Sequence, residues 1–241
     1  MTILALDAGN SRIKWGLWAD RGFIAQGAVA TARTAELADA WHMLARPARA
    51  IGSCVAGAPV RAAIEGVLAP WKVAPEWIVS QREQCGVHSH YADPAQLGPD
   101  RWAALIGARA RIDGPCVVVN AGTAVTVDAL AEGGAFLGGL IVPGLDLMAA
   151  SLAGGTARLR KQAGQVETFP RNTADAIASG AVQSVCGAID RVRAALRADG
   201  ESAPCVVLSG GAASALAPHL PPPMQVVPTL VLDGLIAIAN A

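Results

Sequence analysis

The chain has 241 residues, 53% of them hydrophobic, with 19 basic and 19 acidic side chains. This length and apolar content suffice for a large buried core, in one sizeable domain or two small ones. The neutral balance gives no electrostatic reason to expect a nucleic acid or an anionic membrane as partner, so we expect a small molecule. Five scattered cysteines without a C-x-x-C pair argue against a disulfide framework or a zinc site. The N-terminus lacks the basic region of a signal peptide, and the longest apolar stretch is interrupted, so we expect a cytoplasmic protein without a membrane span.

The chain opens with a predicted β-hairpin, in which residues 3–6 form a buried strand and Gly9-Asn10 a tight turn. Small residues in the turn leave backbone N–H groups accessible to an anion, and Lys14 adds a positive charge. Asp7, at the strand end, could hold a hydrated divalent cation. An ordinary hairpin turn explains these residues equally well at this point. The whole stretch reads Asp7-Ala8-Gly9-Asn10-Ser11-Arg12-Ile13-Lys14.

The first half continues as alternating strands and helices. The spacing of apolar residues predicts strands over 22–29, 50–55 and 77–79, and helices over 34–44, 60–68 and 100–112.

A second copy of the opening pattern begins at Asn120. The apolar run 116–119 is followed by Asn120-Ala121-Gly122-Thr123-Ala124 and then by renewed alternation. The copies begin at 7 and 120, which predicts two related domains, 1–113 and 114–241, with a ligand held between them. The second half is predicted to contain strands 116–119, 124–130, 135–142 and 206–208, helices 145–153, 173–199 and 230–240, and a mobile loop over 154–172. Both halves therefore indicate α/β units of ribonuclease-H type, with mixed sheets flanked by helices.

Several further residues could carry chemistry. Gly98-Pro99-Asp100-Arg101 precedes a helix, so Asp100 is either a helix cap or an acceptor of a proton from a substrate hydroxyl. Arg101 or the helix N-terminus could bind an anionic group, and Tyr91 could line the pocket. Asn172-Thr173 is typical of a helix cap, although Thr173 could also donate to a ligand. Ser209-Gly210-Gly211 follows a strand, where open sheets often bind nucleotides, whereas P-loop and dinucleotide-binding motifs are absent from the sequence.

Taken in order, these motifs closely resemble the type III pantothenate kinases, within the actin-like sugar-kinase ATPase superfamily. Each motif is weak alone, but six at compatible spacing over nearly the whole chain make a specific signal. The matching residues are Asp7-x-Gly9-Asn10-Ser11-x-x-Lys14, Tyr91-x-x-Pro94-x-x-Leu97-Gly98-x-Asp100-Arg101, Gly122-Thr123-Ala124, Gly138-Gly139-x-Ile141-x-Pro143-Gly144, Asn172-Thr173 and Asp233-Gly234-Leu235.

The resemblance implies a transfer of the γ-phosphoryl group of ATP to pantothenate, the first step of coenzyme A biosynthesis, with Mg²⁺ accompanying the ATP. It places residues 7–14 and Thr123 at the phosphates. It makes Asp100 the general base and Arg101 the contact of the pantothenate carboxylate. Tyr91, Gly98, Pro99 and Thr173 would complete the pantothenate pocket, with Thr173 supplied by the second subunit of a homodimer.

One departure from the family concerns the second turn. Where the family has an aspartate that coordinates an activating monovalent cation, K⁺ or NH₄⁺, this chain has Asn120. An asparagine keeps an oxygen but loses the charge, so we expect weaker or absent activation. Two alternatives remain open at this stage: an ATP-binding regulatory or accessory protein on the same fold, and a kinase of another small hydroxyl compound such as a sugar. The pairing of Tyr91 with Arg101 suits an acidic substrate better than a neutral sugar.

Overall fold

The structure, a computed structural model, describes residues 1–155, 163–198 and 204–241. These residues form two compact units, the first made of Met1–Arg111 and Thr229–Ala241 and the second of Ile112–Pro228. Part of the predicted mobile loop, residues 156–162, lies outside the described residues, and its mobility stays a prediction.

The first unit is built on a five-stranded mixed sheet with the order β3-β2-β1-β4-β5. The strand β2 pairs antiparallel with both β1 and β3, whereas β4 and β5 run parallel to β1. A small antiparallel hairpin, β6-β7, precedes α3. The elements are β1 (Ile3–Ala8), β2 (Arg12–Ala19), β3 (Gly22–Ala30), α1 (Glu36–Trp41), β4 (Arg49–Cys54), α2 (Ala58–Leu68), β5 (Pro75–Trp77), β6 (Glu83–Gln84), β7 (Val87–Ser89) and α3 (Pro99–Arg109).

The alternation of side chains in β1 decides which face of this strand is available for chemistry. Leu4, Leu6 and Ala8 pack into a core with residues of β2, α1 and α2. Because successive residues of a strand project to opposite faces, Asp7 lies on the other face. The apolar pattern of β1 thus places a carboxylate at the carboxyl end of a central strand.

The second unit repeats this topology, with its strands in the order β10-β9-β8-β11-β12. The three strands β8, β9 and β10 are again antiparallel, and β11 and β12 are again parallel to β8. Its core is formed by alternate residues of β8 and β9 with apolar residues of α5 and β11. The elements are β8 (Cys116–Ala121), β9 (Ala124–Leu130), β10 (Ala135–Pro143), α4 (Leu145–Gly155), α5 (Thr173–Ala198), β11 (Cys205–Ser209), α6 (Ala213–Leu216) and β12 (Met224–Val226).

The last helix, α7 (Leu230–Ala239), returns to the first unit and packs against α3. Two glycines make this close contact possible. A Cβ atom at Gly234 would lie 1.8 Å from the carbonyl oxygen of Ala103, and one at Gly107 would lie 2.3 Å from that of Leu230. Beside this contact Arg111 donates to Asp233 at 2.7 Å. The Asp233-Gly234 motif therefore serves helix packing.

The predicted order of elements is confirmed in both halves, and boundaries differ by a few residues. The predicted strand 77–79 forms two residues earlier, as β5, while the short hairpin β6-β7 and the elements α6 and β12 were missed. Such two- to four-residue elements carry too few residues to show a period. The division into domains 1–113 and 114–241 stays a prediction. The compact units differ from it in the assignment of α7, which belongs to the first unit.

Candidate functional site

The first turn connects β1 and β2, and hydrogen bonds to its backbone groups hold its conformation. The N–H of Gly9 donates to the carbonyl of Arg12 at 3.0 Å, so this amide is used within the turn. Thr31 holds the turn from the side, because its Oγ1 donates to the carbonyl of Gly9 at 2.7 Å and its N–H to that of Ser11 at 3.1 Å. Asn10 and Ser11 lie exposed at the apex. Of the eight predicted residues, Ala8 and Ile13 are fully buried in the core, so their side chains point away from the apex.

Asp7 lies directly behind this turn, between a cation and a hydroxyl. Lys14 is its cross-strand partner on β2, and Ser53 is its partner on the parallel strand β4. The Oγ of Ser53 donates to Oδ1 of Asp7 at 3.0 Å. Burial, with a contribution from the negative charge of Asp100, raises the pKa of Asp7 to about 6 against the lowering effects of Lys14 and Ser53. The site therefore concentrates negative charge on two carboxylates.

Ser53 is a site residue that the sequence reasoning missed. It is completely buried, and the residues on either side of it in β4, Gly52 and Cys54, are buried as well. A buried hydroxyl in a central strand needs a partner, and that requirement is the signal that could have identified it. The pairing of β1 with β4 was needed to show that its partner is Asp7.

Asp100 occupies the first turn of α3, where the sequence placed it. Gly98 precedes the helix and Pro99 is its first residue, which fits the preference for proline at this position. The backbone N–H of Arg101 donates to Oδ1 of Asp100 at 2.9 Å. A Cβ at Gly98 would lie 2.6 Å from the same oxygen, so this glycine leaves space for the carboxylate. Burial raises the pKa of Asp100, against the lowering effect of Arg101.

Arg101 and Tyr91, which were both predicted to belong to the substrate pocket, lie in contact with each other. Arg101 is a buried cation, 5% exposed, although it lies on the helix turn that carries Asp100. Its guanidinium carbon is 5.9 Å from the centre of the Tyr91 ring, and Nη1 donates to the phenol oxygen at 3.4 Å. The loop before α3 and the start of α3 thus form one arrangement with an acid, a cation and an aromatic ring.

The second turn, in the second unit, has the same frame but neutral side chains. Asn120 corresponds to Asp7, and its partners on the neighbouring strands are Thr126 on β9 and Ser209 on β11. Residues paired in this way project to the same face. The Oγ atoms of Thr126 and Ser209 are buried, and neither has a hydrogen-bond partner within the described ranges. This row of three polar residues therefore contains no charged side chain.

Glycines from two other segments support the second turn. Thr123 lies exposed at its apex. Its carbonyl accepts the N–H of Gly144 at 2.9 Å, and a Cβ at Gly144 would lie 2.3 Å from the carbonyl oxygen of Gly122. Gly210 has a φ of +99°, and a Cβ atom at this position would lie 2.3 Å from the carbonyl oxygen of Ala121. The glycine motifs at 144 and 210 therefore place backbone against the turn, and the predicted contact of 209–211 with a nucleotide stays a prediction.

Thr173 begins α5, as predicted. The cap itself is Asn172, whose Oδ1 accepts the N–H of Asp175 at 2.9 Å. Thr173 is exposed beside this cap.

Two further observations concern grouped metal ligands and membrane-spanning helices. Within residues 1–155, 163–198 and 204–241 no three histidine, cysteine, aspartate or glutamate side chains are grouped so that they could hold a metal ion. Among the helices in these ranges, none is both long enough and apolar enough to cross a membrane.

Solved structures that resemble the chain confirm the predicted fold, that of the actin-like ATPases. The activator of 2-hydroxyisocaproyl-CoA dehydratase from Clostridium difficile, solved with bound ADPNP, is 16% identical and has a TM-score of 0.55, covering 99% of this chain and 93% of that one. Component A of (R)-2-hydroxyglutaryl-CoA dehydratase from Acidaminococcus fermentans is 18% identical, with a TM-score of 0.54 and coverage of 99% and 96%.

Sequence comparisons narrow the assignment to one family. The family model for type III pantothenate kinase matches residues 3–195. A type III pantothenate kinase of Aromatoleum aromaticum is 49% identical over 240 residues, which cover 99% of this chain and 98% of the relative. The corresponding protein of Nitrosospira multiformis is 46% identical over 238 residues, covering 99% and 91%. The chain therefore belongs to the type III pantothenate kinase family.

Proposed function

We propose that this protein phosphorylates pantothenate with ATP to give 4'-phosphopantothenate, the first step of coenzyme A biosynthesis, and that it does so in the cytoplasm. The observation that carries the proposal is the position of Asp100. In a chain of this family, a partly buried carboxylate at a helix N-terminus lies beside a buried arginine and an aromatic ring. This combination suits a substrate with a hydroxyl at one end and a carboxylate at the other.

Asp100 would act as the general base. The N–H of Arg101 holds one carboxylate oxygen, which leaves the second oxygen to accept the proton of the attacking hydroxyl. Its raised pKa brings the base closer to the operating pH, and this favours proton transfer. A positioned base of this kind contributes about 10²–10⁴-fold to the rate.

The remainder of the substrate pocket would be cationic and aromatic. Arg101 would pair with the carboxylate of pantothenate, because a guanidinium matches a carboxylate with two parallel hydrogen bonds. Tyr91 would form one wall, while Gly98 and Pro99 keep the entrance of α3 free of bulky side chains. Thr173, exposed at the start of α5, would contribute from the second subunit of a homodimer.

ATP and a divalent cation are used by kinases of this family, and we assign Mg²⁺ as the ion. Such an ion needs only one or two protein carboxylates, because phosphates and water supply its other ligands. Asp7 fits this requirement, since burial and the nearby charge of Asp100 keep its pKa raised and a cation would relieve that unfavourable charge. When bound, the ion would neutralise the negative charge that develops on the phosphates. The apex of the first turn, with Lys14 and the exposed Thr123 of the second turn, would contact the phosphate groups.

The monovalent cation of the family fits this chain poorly. The row formed by Ser209, Asn120 and Thr126 offers oxygens without a negative charge. We therefore propose that K⁺ or NH₄⁺ activates this protein weakly or not at all. A steep dependence of the unmodified protein's turnover on K⁺ would refute this.

A homodimer is supported by exposed apolar residues in the second unit. Leu140 and Ile141 of β10 are 42% and 63% exposed, and Leu147 of α4 is 48% exposed. Leu140 also lines an open apolar pocket of about 300 Å³ between β9, β10 and α5. Exposed large apolar side chains beside an apolar pocket are a feature of protein–protein interaction sites. Sedimentation equilibrium that gave the 24.5 kDa of one chain would contradict the dimer.

The decisive experiment measures formation of ADP and of 4'-phosphopantothenate by the purified protein with ATP and Mg²⁺, with and without pantothenate. We expect turnover that depends on pantothenate. In the variant Asp100→Asn, binding of ATP and the melting temperature should be preserved while turnover falls about 10²–10⁴-fold. Turnover of Asp100→Asn like that of the unmodified protein would remove Asp100 as the base.

An ATP-binding regulatory protein on the same fold would give a different result in the same experiment. It predicts binding of ATP without turnover in either potassium or sodium buffer. We do not favour it, because Asp100, Arg101 and Tyr91 are all retained and the curated relatives are kinases by name. A sugar kinase would instead phosphorylate neutral hydroxyl compounds in preference to pantothenate.

A further inference from the structure

Arg82 makes a group of contacts that the proposed mechanism does not use. Its side chain lies at the protein surface just before β6, yet its guanidinium is occupied by three backbone carbonyls. Nη1 donates to the carbonyls of Ser89 at 2.8 Å and Tyr91 at 2.7 Å, and Nη2 donates to that of Ala92 at 2.9 Å. All three acceptors belong to one segment of four residues, 89–92.

This segment carries the aromatic wall of the proposed pantothenate pocket. Fixing the carbonyl of Tyr91 fixes the backbone from which its ring projects, and that ring lies against the guanidinium of Arg101. The contact between phenol and guanidinium is long, at 3.4 Å, and is therefore weak as a hydrogen bond. The ring thus depends on its backbone for its position more than on this contact.

The hairpin itself is anchored elsewhere, which separates the role of Arg82 from general folding. The Nε1 of Trp102 donates to Oε1 of Gln84 at 2.9 Å, and this bond ties the hairpin to α3. The Oγ of Ser80 donates to the carbonyl of Leu97 at 2.8 Å, at the other end of the loop. Neither bond reaches residues 90–92. Within the segment, the Oγ of Ser89 accepts the N–H of Tyr91 at a long 3.4 Å. Arg82 lies outside the segment and bonds to three of its carbonyls.

We propose that Arg82 is a positioning residue for the pantothenate site, which holds the backbone of residues 89–92 so that Tyr91 remains placed against Arg101. This inference rests on the proposed function for the identity of the ligand, but the placement of Tyr91 can be measured without any ligand. Charge-assisted bonds from a planar guanidinium suit this task because one side chain can bind several carbonyls in a fixed geometry.

The first measurement uses the fact that Tyr91 is the only tyrosine in the sequence. Protein labelled with 3-fluorotyrosine will give one ¹⁹F NMR signal, which reports the environment of this ring. In ligand-free Arg82→Met the signal should move towards that of a solvent-exposed tyrosine and change its width. Arg21→Met, which alters an exposed arginine in the turn between β2 and β3, is the matched control and should leave the signal unchanged.

The second measurement is steady-state kinetics on the same proteins. Arg82→Met should raise KM for pantothenate roughly tenfold, with KM for ATP and kcat changed less than about twofold, because a misplaced pocket wall weakens substrate binding without touching the base. Arg82→Lys keeps the charge but cannot bind three carbonyls from a planar fork, so it should give smaller changes in the same direction.

These outcomes separate the inference from the proposed function. If the unmodified protein does not turn over pantothenate, the proposed function fails, while the ¹⁹F signal still tests the placement of Tyr91. An unchanged signal and an unchanged KM in folded Arg82→Met would overturn the role of Arg82. If Arg82→Met does not fold, an unchanged signal and KM in Arg82→Lys would likewise overturn it, because the arginine would then be needed for folding alone.

Discussion

The two turns of this chain share one backbone frame and differ in charge. In the first, Asp7 is paired with Lys14 on one side and Ser53 on the other; in the second, Asn120 is paired with Thr126 and Ser209. The hydroxyl of Ser53 donates to the carboxylate of Asp7 at 3.0 Å, whereas the hydroxyl of Ser209 has no hydrogen-bond partner in the described part of the chain. The two turns thus share the same pairing of strands and differ in the side chains that this frame carries.

The turns also differ in what holds them. A side chain supports the first turn, since Thr31 bonds to the carbonyl of Gly9. Backbone supports the second, where Gly144 and Gly210 pack directly against residues 121–123. Two turns of similar shape therefore depend on different residues, and each can be altered separately.

The largest expected effect comes from giving the first turn the neutral side chain of the second. Asp7→Asn removes the one carboxylate of this turn and leaves Lys14 without its partner. We expect turnover to fall about 10²–10³-fold, the usual effect of removing one electrostatic contact to the reacting groups. The measurement is ADP formation at saturating ATP over a range of Mg²⁺ concentrations. Turnover within threefold of the unmodified protein would show that the charge of Asp7 is dispensable.

The same variant carries its own control for folding. Because the folded state raises the pKa of Asp7 from 3.8 to about 6, the unfolded chain releases this proton at lower pH than the folded one. The unmodified protein therefore loses stability as pH rises from about 4 to about 6, relative to Asp7→Asn. Melting temperatures should agree near pH 4, and Asp7→Asn should melt higher above pH 6. A variant that is more stable but inactive cannot owe its inactivity to unfolding.

An intermediate effect is expected where the second turn relies on backbone packing. A Cβ in Gly144→Ala would lie 2.3 and 2.6 Å from two carbonyl oxygens of the turn, so backbone must shift. We expect the free energy of unfolding to fall by about 1–3 kcal/mol, measured by urea titration. Gly180→Ala is the control, because a Cβ there meets nothing within 4 Å and an alanine in the middle of α5 should stabilise by about 0.5–1 kcal/mol. Equal stability of the two variants would contradict the packing role of Gly144.

Sequence alone predicted the repeated order of elements because each half shows long apolar runs with clear periods. It also placed Asp100, Arg101 and Tyr91 near one another, since a helix start and a preceding loop are close in the chain. It missed Ser53, whose partner Asp7 is 46 residues away and is revealed only by the parallel pairing of β1 with β4. Contacts between distant strands leave no local period, so they could not be derived from spacing.

The glycine motifs illustrate a second limit. Several glycines near strand ends were consistent with a ligand that approaches the backbone, and the sequence could not distinguish this from protein packing. In the structure, Gly144 and Gly210 approach the second turn, and Gly234 approaches α3. A glycine shows that some group comes close, but only the fold identifies that group.

The smallest expected effect comes from the reverse exchange, Asn120→Asp, which gives the second turn the charge of the first. The carboxylate would offer Ser209 an acceptor and add a negative charge that attracts a monovalent cation more strongly than an amide does. Because K⁺ carries a single charge, we expect only a severalfold change: the ratio of turnover in potassium to that in sodium should rise from near one to about threefold or more. Melting temperature provides the second measurement, because an added buried charge should make Asn120→Asp less stable in sodium than in potassium, whereas the unmodified protein should melt alike in both. The contrary outcome is an unmodified protein that already prefers potassium as strongly as Asn120→Asp does. The missing charge at this turn would then have no effect on the response to the ion, and the difference between the two turns would lie in their packing alone.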